Sequence, residues 1–270
     1  MKKLILTIFA SLFLLSCSTD SSNDDSNNPS NSGIVPKTIS EGNYSITYTY
    51  NGNKAVGYTT NTGDYGTATY NGDNIINWSD FSTNNQSYIV NATYSNNVLI
   101  SQSINTNYTN PPHTKNCTFI YNSDGSVTEN ITKTTSTGII SQFKNVYFYD
   151  SGNIIKEEQY YVVNSIMTLS YITNYTYDNK NFVYKNITGI NLLKGEYAIG
   201  GGYSINNVTG YERTDASGNI VETQQVTYTY NSQNYPLSKT ETNTSYTLNP
   251  QTGISTPETP EIYYSVITYY

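Results

Sequence analysis

The chain has 270 residues, 29 of them Tyr, 7 Phe and only 1 Trp, with a formal charge of −7. An acidic chain without a basic patch excludes nucleic acid as a partner, and the shortage of Leu and Ala beside abundant Asn, Thr and Tyr disfavours a helical body. With two Cys and one His in the whole sequence, a thiol framework or a histidine-based metal site has little to draw on.

Residues 1–16 read as a signal peptide. Lys2 and Lys3 supply the basic start, and Leu4 to Leu15 form an apolar run broken only by Thr7 and Ser11. That run is shorter than the ~20 residues a spanning helix needs. The run ends Leu14-Leu15-Ser16-Cys17, which resembles the lipobox of bacterial lipoproteins. The resemblance implies that Cys17 becomes the lipidated N-terminus of the mature chain, anchored in a membrane by its acyl chains. Loss of Lys2 and Lys3 takes the charge from −7 to −9. Residues 17–36 hold the lipidated Cys and a tether of Ser, Asn, Asp, Pro and Gly, which cannot bury enough surface to offset its ordering entropy. Asp20, Asp24 and Asp25 lie close behind the Cys and resemble the acidic export signal of Bacteroidetes-type surface lipoproteins. The expected location is therefore the outer membrane, exposed at the cell surface. If Cys17 carries lipid, Cys117 has no partner within the chain and the domain has no disulfide.

Residues 37–270 read as one domain, written in variants of a single phrase. Tyr48-Thr49-Tyr50-Asn51-Gly52-Asn53 opens the series, followed by Tyr70-Asn71-Gly72-Asp73-Asn74-Ile75-Ile76 and Tyr94-Ser95-Asn96-Asn97-Val98-Leu99. The phrase returns at Tyr121, Tyr149, Tyr177, Thr214 and Tyr228. The aromatic end reads as a strand and the Asn/Asp/Gly step as a tight turn that tolerates positive φ. The β-branched pair reads as the start of the return strand, so each phrase is a hairpin. Strand alternation agrees: Tyr44, Ile46, Tyr48 and Tyr50 share one face, while Ser45, Thr47 and Thr49 share the other. The fold class is all-β, a long antiparallel meander of roughly fourteen to eighteen short strands. Open twisted sheets rarely exceed ~10 strands, so the meander curls into an up-and-down barrel, closed or partly open. A two-layer β-sandwich is the alternative, and an extended single-layer repeat sheet comes third.

These units resemble the YD repeats of RHS-type proteins, with Tyr149-Asp150 and Tyr177-Asp178 matching the dipeptide. They are also similar to Bacteroidetes secreted lipoproteins of unknown function with a porin-like, open-barrel fold. Neither resemblance supplies a catalytic residue. The C-terminal Ile262, Tyr264, Val266, Thr268 and Tyr270 alternate up to a terminal aromatic, as an outer-membrane β-signal does. A spanning barrel, however, needs a tall outward band of Leu, Val and Phe. Thr, Ser, Asn and Gln fill too many alternate positions here, so a soluble closing strand is the preferred reading.

Chemistry is sparse. His113 and Cys117, in Pro111-Pro112-His113-Thr114-Lys115-Asn116-Cys117, are too few for a tetrahedral metal site, and the Pro pair places His113 in a loop. Residues 198–204 are Gly-rich but lack the Lys-Ser/Thr of a phosphate loop. Glu157 and Glu158 are adjacent on a strand and point to opposite faces, so they do not form a hydrolytic pair. No catalytic residue, metal or cofactor is expected, and the chain reads as a non-enzyme. The expected function is surface binding or adhesion toward a glycan, an envelope protein or a host protein, with Trp78 as a weak candidate platform. A structural accessory of an outer-membrane complex and a hydrolase with an unrecognised carboxylate pair are the alternatives.

Overall fold

The computed structural model describes residues 33–164, 166–193, 204–249, 252–253 and 255–270. Seventeen strands follow one another with no α-helix among the described residues. They are β1 (Pro36–Glu41), β2 (Tyr44–Asn51), β3 (Lys54–Thr60), β4 (Tyr65–Asn71), β5 (Asn74–Phe81) and β6 (Ser87–Ser95). Then come β7 (Val98–Thr106), β8 (His113–Tyr121), β9 (Val127–Thr135), β10 (Ile140–Asp150), β11 (Asn153–Val163) and β12 (Ile166–Tyr177). The last are β13 (Val208–Asp215), β14 (Ile220–Tyr230), β15 (Pro236–Leu248), the short β16 (Ser255–Pro257) and β17 (Glu261–Tyr269). Each strand pairs antiparallel with its sequence neighbours through β15, β17 pairs with β15, and β1 pairs with both β2 and β17. The ring is a closed barrel of sixteen strands, with β16 attached only to the end of β15. Closure leaves no free sheet edge in the ring, the problem a long meander must solve.

The repeated phrase does more than turn the chain. In β2–β3, β4–β5, β6–β7, β10–β11 and β14–β15 the return strand carries one extra residue just past the turn: Val56, Ile76, Ile100, Ile155 and Leu237. In Ile75-Ile76 and Ile154-Ile155 the second member of the pair, which reads as the start of a regular strand, is a β-bulge. A bulge takes a backbone carbonyl out of the ladder, and that carbonyl needs another donor. The phrase tyrosine of the adjacent strand supplies it. Tyr70 donates to the Ala55 carbonyl at 3.1 Å, Tyr94 to Ile75 at 3.1 Å, Tyr121 to Leu99 at 3.0 Å and Tyr177 to Ile154 at 2.6 Å. Tyr269 donates to Pro236 at 2.7 Å. Two further register shifts carry the same contact, Tyr50 to Pro36 at 2.7 Å and Tyr228 to Val208 at 2.9 Å. Each clasp ties two strands that no turn joins at that end of the barrel.

One phrase departs from the pattern. By its sequence Tyr177-Asp178-Asn179 reads as one more tight hairpin. Instead the chain leaves the ring at Tyr177 and rejoins it at Val208. The described parts of this connection touch turns from well-separated hairpins: Thr188 N–H donates to Asn53, Asn186 to Ile34, Lys180 to Asn234 and Asn206 bonds with Asn153. A segment reaching all of these crosses the barrel mouth. Tyr184, Ile187, Ile190 and Leu193 are buried on it and share one core with Tyr48, Trp78, Ile104 and Ile131 of the wall. Apolar residues in a connecting segment therefore act as a plug, which settles which sheet face points inward.

Candidate functional site

With the inward face known, the pleat assigns every strand position. One inner row runs Tyr48, Tyr58, Gly66, Asp80, Tyr88, Thr106, His113 from β2 to β8. A second inner row runs Gln102, Cys117, Ile131, Phe143, Tyr161, Thr168 from β7 to β12. The outward positions include Thr47, Thr49, Thr69, Thr93, Thr118, Thr227, Asn91 and Asn116, all exposed. No helix among the described residues is long and apolar enough to cross a membrane, which says nothing of strands.

The inner wall from β2 to β9 is dry toward the plug. Trp78 is 6% exposed and stacks on Tyr58 at 6.0 Å between ring centres. The ring expected as a candidate platform is thus a core ring of the inner wall. Its indole N–H donates to Asp80 Oδ1 at 2.8 Å, and Tyr58 O–H donates to the same oxygen at 2.8 Å. Tyr58 on β3 reaches Asp80 on β5 across β4 because residue 66 is Gly. A Cβ there would meet the Tyr58 ring at 2.1 Å. Burial raises the Asp80 carboxyl to about 7, against the pull of its two donors.

The inner wall from β9 round to β15 is polar, and its carboxylates accept from hydroxyl, amide and cationic neighbours. Tyr147 O–H donates to Glu129 at 2.7 Å, and Asn145 donates to the same oxygen at 3.3 Å. Tyr175 donates to Glu157 at 3.0 Å, as does Gln159. Burial, then the neighbouring carboxylates, hold the Tyr147 and Tyr175 hydroxyls well above the usual phenol range. Arg213 bonds Glu222 at 3.1 Å and Thr173 at 3.1 Å, while Lys239 pairs with Glu241. As their adjacency predicts, Glu157 and Glu158 part company: Glu158 faces out to Tyr160 and Lys156.

Higher on this wall, toward the end opposite the plug, Phe143, Tyr161 and Tyr171 face inward at 37%, 40% and 38% exposure. Water therefore reaches the inner wall there. The strands that carry them are long, 11 residues in β10 and β11 and 12 in β12, against 7 or 8 in β2 to β5. Nothing in the sequence distinguished these three rings from the other aromatics. Their mark is position above the level of the buried tyrosines, which only strand register reveals.

The same end carries a rim groove of about 430 Å³ lined by Ser87, Asn105, Thr106, His113, Thr114 and Thr134. His113 is the first residue of β8 rather than a loop residue, because pairing with Thr106 and Thr135 begins immediately after the prolines. Its Nδ1 lies 2.8 Å from the Thr109 hydroxyl, and burial with Lys133 and Lys115 lowers it to about 4. Cys117 is a buried cysteine facing inward four positions along. Among the described residues no group of three His, Cys, Asp or Glu is placed to hold a metal. Cys17, the tether to residue 32 and the glycines at 200–202 lie outside the described residues.

No family model and no curated protein matches the chain. Among solved structures it is similar to a porin-like protein from Bacteroides vulgatus, at 13% identity and TM-score 0.59, over 87% of this chain and 99% of that one. A porin-like protein from Bacteroides uniformis aligns at 15% identity and TM-score 0.44, over 87% and 96%. At 13% identity the first likeness speaks for the fold: a porin-like barrel built from a Tyr-rich hairpin repeat.

Proposed function

We propose that this chain is a lipid-anchored protein of the outer membrane, exposed at the cell surface, that binds a glycan or protein ligand without turning it over. The observation that supports the reading best is the division of surfaces. The outward positions mix exposed Thr, Ser and Asn with scattered apolar residues such as Tyr65, Ile120, Ile262 and Tyr264, and the interruption of any tall apolar band supports water rather than hydrocarbon as the solvent of the outer wall. The wet aromatic and amide surface lies inside the mouth away from the plug, where a concave wall can surround a ligand. The chain's first described residues sit at the plug end, where Val35 accepts from Tyr270 and Ile34 from Asn186. A tether leaving from there points that mouth away from the anchoring membrane. Asp80, raised to about 7 by burial, has the proton affinity of an acid catalyst, but Tyr58 and Trp78 enclose it, which favours a structural role over hydrolysis.

The test has two arms. Mass spectrometry of the full chain from the envelope should find diacylglyceryl and acyl groups on Cys17, and protease added to intact cells should remove the domain. The purified protein should then retain a ligand from a panel of glycans and of host and envelope proteins. An unmodified Cys17 in an uncleaved chain would defeat the anchoring half. Silence across the whole panel would defeat the binding half.

A further inference from the structure

We infer that Phe143, Tyr161 and Tyr171 form a stacking platform for a neutral oligosaccharide inside the mouth opposite the plug. This deepens the binding reading above and rests on it. The three rings lie on consecutive strands of one face, Phe143 directly opposite Tyr161 and Tyr171 one strand further and two positions lower. With strands ~4.8 Å apart and ~3.3 Å per residue, the platform runs ~11 Å, enough for a short oligosaccharide and too narrow for a folded domain.

The rings are exposed where their neighbours on the same strands are not. Tyr147 and Tyr175, two inward positions below Phe143 and Tyr171 on the same strands, are committed to Glu129 and Glu157. The upper rings leave apolar faces in water on a concave wall, an arrangement that marks a binding surface rather than a packing unit. The surroundings select the ligand. Beneath the platform stand Gln159, Gln224 and Asn243, with Gln224 donating to Asn243 at 3.0 Å. Planar amides of this kind offer a donor and an acceptor side by side, as vicinal hydroxyls require. The charges beneath the rings are engaged by their neighbours: Arg213 by Glu222, Lys239 by Glu241, and the Glu157 carboxylate by Tyr175 and Gln159. Arg213 also lies 5.8 Å from the Tyr171 ring and braces it. Charges already engaged by neighbouring donors and acceptors leave little to pair with a free ion, and a polar floor discriminates against a purely apolar ligand. A neutral, polyhydroxylated chain with apolar C–H faces matches both.

The experiment is titration calorimetry on the full chain with neutral hexasaccharides of β1,4-glucose, α1,4-glucose, β1,3-glucose and β1,4-mannose. At least one should bind with 1:1 stoichiometry. Tyr161→Ala and Tyr171→Ala should each weaken it about tenfold. Tyr161→Phe and Tyr171→Phe should stay within about threefold, because the ring and not the hydroxyl makes the contact. Tyr264→Ala, an exposed ring on the outer wall, should leave binding unchanged. Circular dichroism and the thermal midpoint verify that every variant folds. Alanine variants that bind like the parent, or a panel with no binding at millimolar sugar, overturn the platform. If the sugars fail while a protein or peptide is captured, the oligosaccharide assignment falls and the broader binding reading stands. If nothing is captured, both fall.

Discussion

The wall from β2 to β9 and the wall from β10 to β15 are built from one repeat and end differently. Both use the tyrosine clasp on a bulge carbonyl, Tyr70 and Tyr94 in the first and Tyr177 and Tyr228 in the second. On the first wall the inner positions are Tyr48, Ala68, Trp78, Val90 and Ile104, and the plug residues Tyr184, Ile187 and Ile190 lie in the same core. On the second they are Asn145, Glu157, Gln159, Arg213 and Glu222: Gln159 donates to Glu157, Arg213 to Glu222, and Asn145 to Glu129 of β9. The hairpin framework is therefore indifferent to what lines it. Because backbone pairing and clasps hold the ring, the inner side chains are free to make either a dry core or a wet wall, and strand length sets how far the wet wall rises above the dry one.

That contrast can be broken most severely from the plug. Tyr184 packs its ring on Tyr48 at 6.1 Å and on Phe182 at 5.5 Å, and its hydroxyl meets that of Tyr48 at 3.2 Å. Tyr184→Ala should cost ~3–5 kcal/mol in guanidinium unfolding, as for other large aromatic truncations in a core. Hydrogen exchange should quicken on β2–β5 and remain slow on β13–β15. Uniform loss of protection would show that the two walls do not differ in what supports them.

The next effect lies in the titration of the dry wall. Asp80 binds its proton more tightly folded, at about 7, than unfolded, at 3.8. Between those values the folded state holds a proton that the unfolded state has lost, so stability falls as pH rises through that window and then levels. The parent should lose roughly 2–4 kcal/mol from this group between pH 4 and pH 7.5. Asp80→Asn keeps the Oδ1 acceptor for Tyr58 and Trp78 and should flatten that part of the curve. A variant whose stability follows the parent's pH profile would remove Asp80 from the account.

The smallest effect tests what the walls share. Tyr94→Phe deletes the hydroxyl that caps the Ile75 carbonyl and should cost ~1 kcal/mol. Tyr228→Phe, on the opposite wall, should cost about the same. Unequal costs would mean that the clasp depends on its lining after all.

Much of this molecule was written in local sequence. Tyr-Asn-Gly-Asp-Asn-Ile names a strand end, a turn and a return because φ, ψ and pleat preferences act over a few residues. The alternation of Tyr with Thr names two unlike faces for the same reason. Repetition of the phrase implied closure, since so many paired strands cannot stay flat. Other features depended on partners far along the chain. The extra residue at Ile76 or Ile155 is a bulge only relative to the strand beside it. Tyr177-Asp178 spells another hairpin, yet starts a plug because Tyr184 and Ile190 find their core across the mouth. Trp78 became a buried ring and Phe143, Tyr161 and Tyr171 became wet ones by register and strand height, quantities that no short window contains. Sequence by itself determined the hairpins and their two faces, through short-range backbone sterics and pleat alternation. Tertiary structure alone decided which face is inside and which aromatics meet water, because burial is set by what lies across the barrel.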